Sequence, residues 1–219
     1  MRVNVLTYPL GYLSLEDEAG NRLFKRNWVA VAVVVILLSA PFILVDANYF
    51  GDNGFLDRFG SFAAVLTGFY IAALVGVASF ASSVGDLDVE IEVGPIRRRK
   101  QVPAEVEQAE EDLTRRQYIC SMFGYLAFVS LFLSVAAIIL LVAAEPAKIL
   151  ISLAIKAAWR PEAVGYCLYG ISGILIVGFN VVLAHLLVTT CHGLYYLIDR
   201  LYDQKPKLLS KGARKTRTG

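Results

Sequence analysis

Four long stretches of this sequence contain no aspartate, glutamate, lysine or arginine: residues 27–45, 59–85, 117–144 and 163–198. A helix of about 20 apolar residues crosses the roughly 30 Å hydrocarbon core of a bilayer. The stretches lack the period of two that barrel strands have, and backbone in lipid must satisfy its own hydrogen bonds. They therefore predict an all-α membrane protein with four transmembrane helices. The fourth stretch exceeds one crossing, so we expect residues 191–202 to emerge as an amphipathic extension.

The composition supports a chain that is mostly embedded in lipid. Hydrophobic residues make up 57% of the sequence and charged residues 18%, whereas soluble domains have about 45–50% and about 25%. The net charge of +2 is too small to indicate nucleic-acid binding. The three cysteines lie inside apolar stretches without disulfide or zinc-site spacing, so we expect no metal and no other cofactor.

The lysines and arginines between the apolar stretches predict the orientation of the chain. Both ends and the connection after the second stretch hold 17 of these residues, and the other two connections hold four. The side with more positive charge is normally cytoplasmic, so we expect both termini and the second connection in the cytoplasm. The organisation is then an N-terminal segment (1–26), two helices (27–85), a cytoplasmic connection (86–116), two further helices (117–198) and a basic tail (199–219).

The cytoplasmic segments are predicted to be partly folded. Apolar and polar residues alternate over residues 2–7, 13–15 and 87–93, as they do in half-buried strands. They predict a small cytoplasmic β-element that another chain completes, because isolated hairpins are marginal in water. Residues 104–117 are good helix formers and predict a cytoplasmic extension of the third transmembrane helix.

Six basic residues in the cytoplasmic connection are candidates for contact with a partner or a lipid. Four lie in a predicted loop over residues 94–103, and two come just before the third apolar stretch: Arg97, Arg98, Arg99, Lys100, Arg115 and Arg116. One interpretation is a solvated loop that only enforces the topology. The other is a contact with anionic lipids or with an acidic partner protein.

The connection between the third and fourth stretches has the pattern of an amphipathic helix over residues 145–160. Polar residues recur there every three or four positions, and the other faces are apolar: Glu145, Lys148, Ser152, Lys156 and Arg160. Such a helix is expected to lie along the outer membrane interface. Alternatively, the cations Lys148, Lys156 and Arg160 line an outer vestibule in an oligomer.

One face of the second stretch carries small residues at steps of three and four: Ala64, Gly68, Ala72, Gly76, Ser79 and Ser83. Small residues at this spacing let helix backbones approach closely in lipid. They predict a helix-packing seam, whose partner helix belongs either to the same chain or to another. Glycines in the fourth stretch, at positions 170, 173 and 178, repeat the pattern and favour a homo-oligomer.

The ionisable side chains within the apolar stretches include two histidines, His185 and His192, which share a helix face with Thr189. One interpretation is a structural histidine that is hydrogen-bonded to a neighbouring helix. The other is a role in sensing a proton or a ligand. The stretches contain no carboxylate, which argues against an ion-coupled transporter. The sequence also has no phosphate-binding glycine loop and no catalytic constellation, so we expect no enzyme activity.

The layout of the whole chain resembles one known family. Four spans, both termini inside and a charged cytoplasmic segment after the second span are similar to the small membrane subunit of the bacterial Kiwa anti-phage defence system. The resemblance implies a homo-oligomeric, tetrameric sensor of phage attack in the bacterial inner membrane, with a cytoplasmic partner that binds DNA. The partner would contact residues 87–116 and 199–219, and the small subunit itself would bind no nucleic acid.

Two hypotheses about function follow from these patterns. The first is a non-enzymatic oligomeric sensor or scaffold that docks a soluble cytoplasmic effector. An uncharged membrane region combined with incomplete cytoplasmic elements favours it. The second is a homo-oligomeric pore with a cationic outer vestibule, in which the seam of the second span surrounds the axis.

Overall fold

A computed structural model of the chain describes residues 8–17, 20–45, 47–51, 53–79, 91, 96–99, 110–157 and 161–200. A 3₁₀ helix over Tyr8–Ser14 comes first and a π-helical turn over Tyr196–Arg200 comes last. Between them lie α1 (Leu23–Arg26), α2 (Trp28–Leu44), α3 (Phe55–Ser79), the strands β1 (Arg97–Arg99) and β2 (Glu110–Asp112), α4 (Arg115–Ala157) and α5 (Pro161–Tyr195).

The described part of the chain contains three helices that are long and apolar enough to cross a membrane: α3, α4 and α5. Helix α2 is equally apolar but has 17 residues, which gives it a length of about 25 Å. Apolar side chains on the outside of the helices are widely exposed, among them Leu37, Val65 and Ile174. Such a surface fits lipid better than water. The architecture is therefore a helical bundle of the membrane type.

The helices pack in the order α3, α4, α5, α2. Gly60 of α3 lies against α4, and a Cβ added there would lie 3.0 Å from the Cβ of Ala137. Nearby, Ser134 Oγ donates a hydrogen bond of 3.2 Å to the carbonyl oxygen of Gly60. The interior is filled by large side chains that are almost fully buried, including Tyr70, Tyr118, Met122, Leu126, Leu133 and Leu183.

Side-chain contacts show which helix ends lie together. Arg116, at the start of α4, donates a hydrogen bond of 3.5 Å to the carbonyl oxygen of Val77, near the end of α3. Tyr118 of α4 contacts Tyr196, which follows α5, at 5.0 Å between ring centroids. The starts of α2 and α4 and the ends of α3 and α5 thus lie together with the 3₁₀ helix and both strands. We call this the ladder end, and the opposite end the hairpin end.

Residues 145–157 of the helix predicted over 145–160 are helical, but they continue α4 instead of forming a helix of their own in the connection, and residues 158–160 lie outside the described part of the chain. Helix α4 runs for 43 residues through Pro146. A proline removes one backbone donor and crowds the preceding turn. Here good helix formers flank it on both sides, Ala143 and Ala144 before it and Ala147 and Lys148 after it, and the helix persists.

The predicted helix over residues 104–117 is wrong for residues 110–114, because residues 110–112 form β2 and α4 begins at Arg115; residues 115–117 are helical, and residues 104–109 lie outside the described part of the chain. The start of α4 is fixed by a reciprocal cap. The backbone N–H of Gln117 donates to Thr114 Oγ1 at 3.3 Å, and the backbone N–H of Thr114 donates to Gln117 Oε1 at 3.1 Å. This capping box satisfies donors that an uninterrupted helix would have bonded internally.

The predicted strands over residues 2–7 and 87–93 fall outside the described residues, apart from Ile91, so the β-element as predicted from them stays a prediction. The segment 13–15, also predicted to be extended, ends the 3₁₀ helix at Ser14. The extension of the fourth span over residues 191–202 is described as far as Arg200. Residues 191–195 continue α5, and a π-helical turn follows.

Candidate functional site

The basic cluster at the ladder end forms part of a short antiparallel ladder. Three consecutive arginines in β1 pair in register with three acidic residues in β2, with Arg97 opposite Asp112, Arg98 opposite Glu111 and Arg99 opposite Glu110. Arg97 Nε lies 3.1 Å from Asp112 Oδ1. Residues 97–99 of the predicted loop over 94–103 therefore form a strand, with acidic residues of the same chain opposite them in register, while the Arg97 side chain stays partly exposed.

The N-terminal segment joins this ladder through backbone bonds. The N–H of Glu16 donates to the carbonyl oxygen of Arg97 at 3.1 Å, and the N–H of Arg97 donates to the carbonyl oxygen of Glu16 at 3.0 Å. Glu16 also forms a bridge with Arg22, which closes a turn before α1. The chain thus adds an N-terminal edge to its own two strands at the ladder end.

The remaining predicted contact residues have different environments. Arg115 and Arg116 open α4 and are partly buried, and Arg116 caps the last turn of α3 through the carbonyl oxygen of Val77. Cations are favourable at the carbonyl end of a helix. Lys100 falls outside the residues that the structure describes. Lys25 of α1 lies at the same end of the molecule and is exposed.

His185 lies where α5 meets α4 and the N-terminal segment. Its Nδ1 atom is 3.0 Å from Tyr125 Oη and 3.4 Å from Thr189 Oγ1. The ring of Tyr12, from the 3₁₀ helix, stacks on Tyr125 at 5.1 Å between centroids, and Phe24 of α1 contacts the imidazole at 6.5 Å. The side chain therefore connects the membrane helices to the segment that carries the ladder edge.

The structure brings His185 and His192 together at one small cavity. Tyr12, Phe24, Asn27 and Thr189 also line it. The cavity has room for about one water molecule, so it is too small for an organic ligand. Among the described residues, no three His, Cys, Asp or Glu side chains lie close enough together to hold a metal ion. The interpretation of His185 as hydrogen-bonded to a neighbouring helix agrees with this geometry, and a sensing role stays a prediction.

A second buried polar cluster lies toward the hairpin end. Tyr49, in the connection between α2 and α3, donates its hydroxyl to Asn180 Oδ1 at 3.1 Å. Asn180 Nδ2 donates to Ser39 Oγ at 3.0 Å. Both atoms of the amide are thus satisfied inside the bundle, where Asn180 is 0% exposed. Burial raises the pKa of Tyr49, so its phenol stays protonated and remains a donor.

Further hydrogen bonds connect the other helix pairs through side chains that the sequence did not single out. Thr67 of α3 donates to Ser130 of α4 at 2.9 Å, and Tyr70 Oη lies 2.6 Å from Thr190 Oγ1 of α5. A hydroxyl side chain in an apolar helix indicates a hydrogen bond to another group inside the bundle. It does not identify the partner, which lies 63 to 120 residues away in these two pairs.

The predicted small-residue seam lies on the outside of α3. Ala64, Gly68, Ala72 and Ser79 are exposed, and Gly76 is partly exposed. A Cβ added to Gly68 or Gly76 would meet nothing within 4 Å. The opposite face, which packs on α4, buries Phe59, Ala63, Thr67 and Tyr70 instead. The seam therefore packs against no described helix of this chain, and Ser83 lies outside the described residues.

The cations of the predicted vestibule lie beyond the core, on the last turns of α4. Lys148 Nζ is 2.6 Å from Glu145 Oε1, so this part of the stripe contains an ion pair within one helix turn. Lys156 is exposed. Arg160 falls in the short connection before α5 that the structure leaves undescribed. A pore with a cationic vestibule stays a prediction.

No protein-family model, no curated protein and no solved structure matches this chain.

Proposed function

We propose that this chain is a non-enzymatic sensor or scaffold of the bacterial inner membrane, which docks a cytoplasmic effector protein at its ladder end and works as a homo-oligomer. All four helices α2 to α5 would cross the bilayer. The length of α2, about 25 Å, suffices if α1 and Asn27 occupy the headgroup region. The exposed Lys25 in α1 fits that position, because a lysine side chain is favourable at the membrane–water interface.

The assignment of the ladder end to the cytoplasm is supported by its content of positive charge. The connections that lead to this end hold 17 lysines and arginines, and those at the hairpin end hold four. Positive charge accumulates in cytoplasmic segments. An even number of crossings also returns both termini to one side, which agrees with the ends of the described helices.

One observation carries the docking proposal. The β-ladder, with its arginines and acidic residues, and the N-terminal edge that joins it lie at the ladder end, whereas the helix surfaces between the two ends are apolar. A three-residue ladder with an added N-terminal edge is marginal by itself. A soluble protein that extends or covers it would complete the element. His185 is the residue through which a change among the membrane helices would reach this end, because it contacts both regions.

Defence against phage is the biological setting that we propose for this activity. The support is the resemblance of the layout to the small Kiwa subunit, which implies a sensor that works with a cytoplasmic partner. In that setting the signal would enter through the membrane part or the hairpin end, and the effector would bind on the cytoplasmic side.

Affinity capture from the native host with two charge-reversal variants tests the proposal. Arg22→Glu with Lys25→Glu alters exposed cations at the ladder end, and Lys156→Glu alters an exposed cation at the opposite end. We expect the wild type and the Lys156→Glu variant to retain the same soluble protein, and the double variant to lose it.

Circular dichroism of each purified variant checks that helix content is unchanged. The docking proposal would be contradicted if no soluble host protein were retained by folded wild-type protein. It would also be contradicted if Lys156→Glu abolished capture while the double variant kept it, because the partner would then bind the hairpin end.

A further inference from the structure

The β-ladder has two edges, and only one of them is bonded within the described part of the chain. Strand β1 lies in the middle, because Glu16 bonds to one side of it at Arg97 and β2 pairs with the other side. Strand β2 is therefore the edge strand of the described sheet. An edge strand presents backbone N–H and C=O groups to which a further strand can bond.

The backbone bonds of the ladder show which groups of β2 point outward. In an antiparallel pair, hydrogen-bonded and non-hydrogen-bonded residue pairs alternate along the strands. The N–H of Leu113 donates to the carbonyl oxygen of Ile96 at 3.0 Å, so this pair is hydrogen-bonded. The next pair, Arg97 with Asp112, is then non-hydrogen-bonded, which agrees with the two bonds that Arg97 exchanges with Glu16 on its other side. The backbone N–H and C=O of Asp112 consequently point away from β1.

The outward groups are open to a partner at Asp112. This residue is exposed, and its backbone N–H and C=O bond to no other residue that the structure describes. The alternation gives the backbone of Glu110, two residues earlier, the same outward direction. The edge therefore offers two donors and two acceptors, at Glu110 and Asp112, to one incoming strand.

The charge of β2 limits what can pair with this edge. The strand consists of three consecutive acidic residues, Glu110–Asp112, and like charges directly opposite each other destabilise a strand pair. The β2 strand of a second copy would place carboxylates opposite carboxylates. The anionic surface of the cytoplasmic leaflet would also repel these residues. A strand with lysine or arginine side chains is favoured instead, as the three arginines of β1 are on the other side of β2.

We infer that the cytoplasmic effector adds a strand with basic side chains to the outer edge of β2. In strand addition, main-chain hydrogen bonds provide the affinity and alternate side chains provide the specificity. The added strand bonds to the backbone of Glu110 and Asp112 and enlarges a ladder that is marginal with two strands. The inference rests on the proposed docking at the ladder end and assigns its binding mode.

A matched pair of variants at position 112 tests the edge. Asp112→Ala and Asp112→Pro both remove the carboxylate that pairs with Arg97, but only the proline also removes the outward N–H. Proline is tolerated on an edge strand where its nitrogen faces outward. The bonds of β2 to β1 involve the neighbouring residues, so slow hydrogen exchange of the Leu113 amide checks that the ladder persists in both variants.

The probe is a fluorescent peptide of alternating lysine and valine, and fluorescence anisotropy measures its binding to the detergent-purified protein. We expect the Asp112→Ala variant to bind this peptide and the Asp112→Pro variant to bind it about tenfold more weakly, because one main-chain hydrogen bond is lost. A peptide of alternating glutamate and valine should not bind. In the wild type, the lysine peptide should slow the hydrogen exchange of the Asp112 amide.

Equal peptide affinities of the two variants, with the ladder intact in both, would overturn strand addition. A wild type that does not bind the lysine peptide would overturn it as well. If the Asp112 amide already exchanges slowly in the wild type and speeds up when residues 201–219 are removed, the basic tail of the chain itself occupies the edge, and the inference is wrong.

Effector capture separates this inference from the proposed function. We expect the Asp112→Ala variant to retain the host protein that the wild type retains, and the Asp112→Pro variant to lose it. Capture that survives both substitutions would overturn strand addition and leave docking at the ladder end standing. A wild type that retains no soluble protein would overturn the docking itself.

Discussion

At the scale of single residues, Asn180 illustrates how far sequence reasoning extends in an apolar helix. A buried amide in lipid needs partners for both of its polar atoms, and this requirement can be stated from the sequence. The identity of the partners cannot, because Tyr49 and Ser39 are 131 and 141 residues away. Tyr49 also lies in a connection of turn-forming residues, where its deep burial has no sequence signal.

Replacing Asn180 by leucine is expected to destabilise the bundle by about 1–3 kcal/mol, because it removes the hydrogen bonds of Asn180 with Tyr49 and Ser39 and leaves the buried Tyr49 hydroxyl without a partner. Tyr49→Phe removes one of these bonds and leaves the buried Asn180 Oδ1 without its donor, so it is also expected to cost about 1–3 kcal/mol. Thermal unfolding in detergent, followed by circular dichroism, measures both. Unchanged stability of the leucine variant would contradict the network.

At the scale of elements, the small residues predicted as a seam on α3 do not form the face that packs on α4 within the chain, and packing of the seam against another chain stays a prediction. The sequence offers two faces with small residues, one through Gly68 and one through Gly60 and Ala63. Gly60 and Ala63 share their face with Phe59 and Tyr70, which fill the space against α4. Volume complementarity with a helix more than 60 residues away decides between the faces, and spacing alone does not contain it.

A matched pair of glycines tests this packing. Gly60→Leu forces a side chain against the Cβ of Ala137, only 3.0 Å from the position of its own Cβ, and overpacking of this kind costs about 1–3 kcal/mol. Gly68→Leu meets open space within the chain and is expected to leave the unfolding temperature of the detergent-solubilised protein unchanged. Equal losses for the two variants would show that α3 packs through another face.

The sequence predictions also missed the β-ladder, because residues 110–112 were expected to belong to a helix. Residues 110–112 have the composition of a charged helix, but three arginines of β1 lie opposite them in register. Periodicity over a short charged segment does not distinguish strand from helix, because pairing with a distant segment makes the difference.

Reversing one charge of the ladder is expected to loosen it, and swapping both charges to restore it. Asp112→Arg opposes Arg97, whereas Asp112→Arg with Arg97→Asp recreates an opposite-charge pair. An exposed pair of this kind contributes only about 0–1 kcal/mol, so the readout is local. Hydrogen exchange of the backbone amide of Glu16, which donates to Arg97, should speed up in the single variant only. Equal exchange in both variants would argue against the charge pairing.

At the scale of the whole molecule, the apolar stretches predicted most of the helical architecture. All four of them coincide with helices α2 to α5, and three of these helices are long enough to span a membrane. The length of α4 was not predictable, because a proline and charged residues normally end an apolar helix. Residues 145–157 were predicted to be helical, but not to continue the third transmembrane helix.

The orientation of the chain is the central claim, since the docking of a cytoplasmic effector at the ladder end depends on it. A membrane-impermeant maleimide applied to cells with an intact inner membrane tests it most directly. The native Cys167 is exposed near the start of α5, at the hairpin end. It reports that end in a variant in which Cys120 and Cys191 are replaced by serine. Asn21→Cys, in a background without native cysteines, reports the ladder end. We predict labelling of Cys167 in intact cells and of the Asn21→Cys variant only after the inner membrane is opened. The opposite pattern would contradict the account.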